Sequence, residues 1–205
     1  MITLYTLKPR FQALLRPLVS RMALAGITAN QVTIAAALGS MAIGLVIVLA
    51  AGQTAVFLLL PIWLAVRMAL NAIDGMLARE FGQQSKPGAY LNELGDVVSD
   101  SALYAGFAFI PPFSAIWTGV VIVLALMTEF AGVLGPSIGA SRRYDGPLGK
   151  SDRALVAGAL GLWIGIGGAR PEWLAWLMPV FALLLIVTVI NRIRAGLREA
   201  AETTA

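Results

Sequence analysis

Roughly six stretches of this chain are each about 20 residues long and almost purely apolar, the length a helix needs to cross the hydrocarbon of a bilayer. They fall at about Val32–Ala51, Ala55–Ala78, Ala89–Ile110, Ala115–Ile138, Ala154–Gly168 and Trp173–Ile193, the fifth being short and Gly-rich. The connections AGQT, REFGQQSKPG, PPFS, GASRRYDGPLGKS and GARPE are brief, with no extended linker. The chain is 59% hydrophobic and 13% charged, where a soluble domain carries about a quarter charged residues. A chain of 205 residues has too little interior to hide that much apolar surface from water. The expectation is an all-α integral membrane protein of about six transmembrane helices, one domain over residues 1–205.

Residues 1–26 precede the first span and do not read as a signal peptide, because Lys8, Arg10, Arg16 and Arg21 interrupt the apolar run. Phe11, Leu14, Leu15, Leu18 and Met22 recur at helical spacing opposite those cations, which suits an amphipathic helix lying in the interface. Pro17 is expected to kink or interrupt it. Residues 27–205 form the transmembrane bundle. In a six-span arrangement every Lys and Arg except Arg67, inside a span, and Arg170 falls on one side. The positive-inside rule makes that side cytoplasmic, with both termini on it. The net charge of +4 is therefore read as attraction to anionic lipid, not to nucleic acid.

The chain has no histidine and no cysteine. Acid–base and metal chemistry must then use carboxylates, amides, hydroxyls and water, which favours hard cations such as Mg²⁺ or Mn²⁺. Carboxylates occur inside two spans, where each needs a partner, a metal or a task. Arg67, Asn71, Asp74 and Ala78 share a helical arc of roughly 60°, and Asn92, Glu93, Asp96 and Asp100 one of roughly 100°. Both sets lie toward the cytoplasmic ends of spans joined by a short loop, so their polar faces are expected to meet. The purely structural alternative is a hydrogen-bonded network centred on Arg67. Three aspartates and a glutamate facing one nearby arginine, however, leave negative charge for bound cations to neutralise.

Asp74-Gly75, Ala78-Arg79, Gly88 and Asp96, with eight residues between Arg79 and Gly88, resemble the signature of the CDP-alcohol phosphotransferase family. The ITANQVT stretch at Ile27–Thr33 resembles that family's entry motif, and the likeness covers nearly the whole chain. One departure stands out: the family's first and third aspartates are Asn71 and Asn92 here. The resemblance implies transfer of a substituted phosphoryl group from a CDP-linked lipid, usually CDP-diacylglycerol, to an alcohol with release of CMP, in phospholipid biosynthesis. It also implies a homodimer in the bacterial inner membrane. Asp96 becomes the catalytic base, and Asn71, Asp74, Asn92 and Asp96 hold one or two Mg²⁺ or Mn²⁺ ions, with Glu93 and Asp100 as substitutes for the missing charges. Gly75, Ala78, Arg79 and Gly88 line the CDP site.

For the acceptor, the Ser141–Ala154 loop offers Arg142, Arg143, Lys150 and Arg153, either as a topology anchor or as a pocket for a phosphate such as that of glycerol 3-phosphate. Glu129 is expected to hydrogen-bond acceptor hydroxyls or to pair with Arg67. The alternatives to an enzyme are a divalent-cation transporter and a catalytically silent CDP-lipid-binding homologue.

Overall fold

The structure, a computed structural model, describes the backbone of residues 4–204 and the side chains of residues 10–202. Lys8 falls outside the described side chains. Seven α-helices run α1 (Leu4–Leu24), α2 (Ala29–Leu49), α3 (Leu59–Glu80), α4 (Lys86–Ala105), α5 (Ala115–Val133), α6 (Lys150–Gly165) and α7 (Leu177–Thr204). Among the described residues there is no strand. The chain is an all-helical membrane protein, and each of the six expected spans coincides with a helix.

By length and apolar content, four helical segments suffice to cross a membrane: Ala29–Leu49, Thr54–Glu80, Ala115–Val133 and Glu172–Glu202. The other two expected spans fall short for identifiable reasons. In α4 the apolar run is diluted by Asn92, Glu93, Asp96 and Asp100, and α6 has only 16 residues before the Gly-rich turn at Gly167–Gly168.

Helix α1 continues through Pro17, against the expected interruption. Tertiary burial outweighs the lost hydrogen bond: Val19 is fully buried, and with Leu15 and Met22 it packs against Ile73, Met76 and Leu77 of α3. Leu14 and Leu18, on the same apolar stripe, remain exposed. Arg16 then clamps Glu80 with two hydrogen bonds of 3.0 Å, tying α1 to the C-terminal end of α3.

Helix α2 starts at a capping box, Thr28 with Gln31, and packs against both α3 and α4. Its approach to α4 depends on Gly44, where an added Cβ would lie 2.4 Å from the carbonyl oxygen of Ala102. Small residues that let backbones approach are the usual means of packing helices where lipid removes the hydrophobic drive. Helix α5 packs on α7 and α4, and α6 on α3.

The bundle has two chemically distinct ends. Near one lies the apolar core: Ile47, Phe57, Leu60, Leu103, Phe107, Phe113, Ile164 and Leu185. Phe107 packs between Phe57, tilted against it, and Phe113, edge-on to it, with ring centroids 5.7 and 5.6 Å away. Toward the other end the same helices carry Asp74, Asp96, Glu129, Arg153 and Arg192, so distance along the bundle sorts apolar from ionic residues.

Because the α2–α4 contact is backbone to side-chain-free backbone, Gly44→Val should separate the helices. Overpacking of that kind costs about 1–3 kcal/mol, read as a lower midpoint of thermal unfolding in detergent. An unchanged midpoint would show that the helices can part freely.

Candidate functional site

The polar end is organised by Arg67, which is 4% exposed. From α3 it donates to Asp96 Oδ1 at 2.9 Å and to the Asp96 carbonyl at 3.2 Å, and it pairs with Asp100 Oδ1. The two polar faces therefore meet, though through side chains: α2 packs against both helices, while α3 and α4 approach each other little at the backbone.

Asp74 is buried and accepts a hydrogen bond of 2.8 Å from Thr33 of α2. Asp96 and Lys150 lie within electrostatic reach of it, and among the described residues no Lys or Arg forms an ion pair with it. The entry motif does more than start α2. The backbone N–H of Ala29 donates to Gln83 at 2.7 Å, and Asn30 contacts Ser85, the N-cap of α4, at 3.4 Å. These contacts hold the α3–α4 loop against the start of α2.

The remaining carboxylates find cations that lie far away in sequence. Lys150, the first residue of α6, pairs with Asp96 Oδ2. Arg142 pairs with Glu93 and lies 3.7 Å from Glu129. Arg153, buried, donates to Glu129 at 2.8 Å and to Thr128 at 3.2 Å, and lies 3.7 Å from Asp100. Arg192 of α7 approaches Glu129 to 3.6 Å and donates to the Thr128 carbonyl. Glu129 therefore pairs with Arg153, Arg142 and Arg192, and not with Arg67, which was one of its two expected roles. The premise that one arginine faces all the carboxylates is also corrected, because the folded chain delivers Arg142, Lys150 and Arg153 to them. Arg143 alone of the four loop cations turns away, pairing with Asp145 at 2.9 Å and with Glu199. Its hydrogen bond holds the Asp145 carboxyl below the usual carboxylate range.

Gly75 and Gly88 have steric roles. A Cβ on Gly75 would lie 2.6 Å from the Arg79 guanidinium, so the glycine lets that exposed arginine fold back along α3. A Cβ on Gly88 would meet Asn30 at 2.6 Å and Ser85 at 2.8 Å, so it is cleared for the α2–α4 junction. Asn71, Ala78 and Asn92 are half-buried.

Among the described residues no three acidic side chains converge on a common point. The donor chemistry nevertheless fits a hard divalent cation. Asp74 and Asp96 are all-oxygen carboxylate donors on facing helices, with the amides of Asn71 and Asn92 on the same helix faces. The site residues that the sequence did not reveal are Thr33, which holds Asp74, and Thr128 and Arg192, which hold the Glu129 network. Thr33 ends the entry motif, but its reach to Asp74 follows only from the packing of α2.

Removing one member of a buried ion pair costs about 3–5 kcal/mol. Arg67→Met should therefore lower the unfolding midpoint, and Asp100→Asn added to it should restore part of the loss. Additive losses in that double-mutant cycle would mean the two side chains act independently.

Known proteins resemble this chain both in sequence and in fold. A family model described as CDP-alcohol phosphatidyltransferase matches residues 26–190. The chain is 48% identical to the inner membrane protein YnbA of Escherichia coli (strain K12) over 98% of this chain and 100% of that one. It is 27% identical to the phosphatidylinositol phosphate synthase of Cutibacterium acnes over 65% of this chain and 69% of that one. Its fold matches the crystal structure of Mycobacterium tuberculosis phosphatidylinositol phosphate synthase with CDP-DAG bound, with a TM-score of 0.73, 21% identity and coverage of 88% and 92%. The same synthase with manganese and citrate gives a TM-score of 0.72. By its sequence match over most of its length, the chain belongs to the CDP-alcohol phosphatidyltransferase family.

Proposed function

We propose that this chain transfers the phosphatidyl group of CDP-diacylglycerol to an alcohol and releases CMP. The observation that carries this reading is the placement of Asp74 and Asp96, in the family register, at the polar end of an otherwise apolar bundle. The matched synthases support the donor, since one is described with CDP-DAG bound. A transporter would hold its carboxylates near the bilayer midplane between repeats. Here they gather toward one end.

In the proposed reaction the acceptor hydroxyl oxygen bonds to the phosphorus that carries diacylglycerol, and the bridging P–O bond to CMP breaks. The hydroxyl proton passes to Asp96, the carboxylate in register with the family base. Arg67 keeps Asp96 oriented through Oδ1 and the backbone carbonyl. Arg79, folded back over Gly75, would receive donor phosphate in this reading. Asn71, Asp74, Asn92 and Asp96 would hold the Mg²⁺ or Mn²⁺, one ion or two. Such an ion, when bound, supplies neutralisation of charge on the pyrophosphate and on departing CMP. Glu93 and Asp100 are already matched by Arg142 and by Arg67 with Arg153, so their part in this reading is to position those arginines.

The acceptor in this reading is an alcohol bearing a phosphate, such as glycerol 3-phosphate. Lys150, Arg142 and Arg153 support it, since all three stand beside the carboxylates. Residues 1–205 act as one membrane unit in this reading. The site faces the cytoplasm of a bacterial inner membrane, both termini lie on that side, and the protein assembles as a homodimer. The distribution of the basic residues supports the orientation. Arg16, Arg79, Arg142, Lys150 and Arg192 share the polar end, while Arg170 caps Pro111 across the bundle at 3.2 Å.

Purified protein given CDP-diacylglycerol, Mn²⁺ or Mg²⁺ and a panel of alcohols should release CMP only when acceptor and metal are both present. Asp74→Ala should leave less than about a tenth of that rate, because it deletes one of two charged ligands. CMP release that survives the substitution, or that fails with every acceptor in wild type, would overturn the assignment.

A further inference from the structure

Both carboxylate oxygens of Asp96 are held by cations belonging to the chain itself, Oδ1 by Arg67 and Oδ2 by Lys150. The two cations differ in freedom. Arg67 is buried and also bound to Asp100, so it is fixed. The Lys150 side chain is 32% exposed, and among the described residues Asp96 is its one ion-pair partner. Lysine is a compact charge on a flexible four-carbon stem, able to swing while its backbone stays in place. Arg142 and Arg153 lack that freedom, each being shared between two carboxylates.

A divalent cation approaching the Asp74–Asp96 pair thus meets one carboxylate without a cation and one already matched. Asn71 and Asn92 add oxygen donors but no charge. An ammonium and a metal ion on the same oxygen repel each other, so each weakens the other's hold on it.

We propose that Lys150 is a resident counter-cation that the divalent metal displaces from Asp96, and that the freed ammonium then anchors the anionic group of the acceptor alcohol. This rests on the phosphatidyl-transfer reading and adds an order to it, metal before acceptor. Metal and anionic acceptor then favour each other's binding, and linkage makes the effect reciprocal. A neutral polyol gains nothing from the exchange.

The test is equilibrium Mn²⁺ binding to the purified full chain in detergent, without CDP-lipid, read from the spin-resonance signal of free Mn²⁺. Lys150→Met should bind Mn²⁺ roughly tenfold more tightly than wild type. Lys150→Arg, which keeps the charge, should stay closer to wild type, and equal unfolding midpoints would show that both variants fold. Glycerol 3-phosphate should tighten Mn²⁺ binding to wild type by roughly fivefold or more. It should lose that effect in Lys150→Met, and glycerol should have none in either protein. Lys150→Met binding Mn²⁺ no more tightly than wild type overturns the counter-cation. An undiminished glycerol 3-phosphate effect in that variant overturns the hand-over. Absence of Mn²⁺ binding in every form overturns the metal-dependent reading itself, and this inference with it.

Discussion

The polar end of this protein depends on one arginine. Arg67 stands on α3, nearly out of reach of solvent, and gathers Asp96 and Asp100 of α4 across a gap that the helix backbones do not close. Buried charges are tolerable only when paired and hydrogen-bonded, and the fork of a guanidinium can serve two carboxylates at once. With Arg67 in place, α4 presents its acidic face inward. Lys150, Arg142 and Arg153 then have something to bind, which fixes where α6 and the preceding loop settle.

Helix α2 supplies the other half of the design. It lies against both α3 and α4, with Gly44 admitting the backbone of α4 at one end and Thr33 holding Asp74 near the other. Family signature and entry motif are therefore a single physical unit: one provides the carboxylates, the other the surface on which they are held. The apolar core around Phe57 and Phe107 keeps that unit rigid from the far end.

Much of this was legible from the sequence. Helix positions follow from apolar runs, and helical spacing placed Asp74 with Asn71, and Asp96 with Asn92, before any coordinates. Local periodicity carries no information on pairs such as Lys150 with Asp96, or Arg153 with Glu129, which lie on different helices. For that reason the carboxylates looked short of cations when only Arg67 was counted. For the same reason Arg67 was offered as one of two partners for Glu129, although three other arginines surround it. Pro17 misled in the opposite way. Its local penalty is real, but burial of Val19 against α3 outweighs it.

The pairing of early carboxylates with late cations bears on how the protein is made. Asp74, Glu93, Asp96 and Asp100 are synthesised in the first half of the chain, and of the cations that pair with these carboxylates among the described residues only Arg67 comes with them. Lys150 and Arg153 follow some fifty residues after Asp96 and Asp100. A carboxylate at the centre of an inserting helix costs about 2.5–3.5 kcal/mol on translocon scales. Asp74 lies near the end of α3 that residues 81–85 join to α4, but Asp96 and Asp100 lie deeper, in the middle and far half of α4. Until α6 is made, Arg67 is the one of these cations that can offset that cost, so the site is complete only late in synthesis.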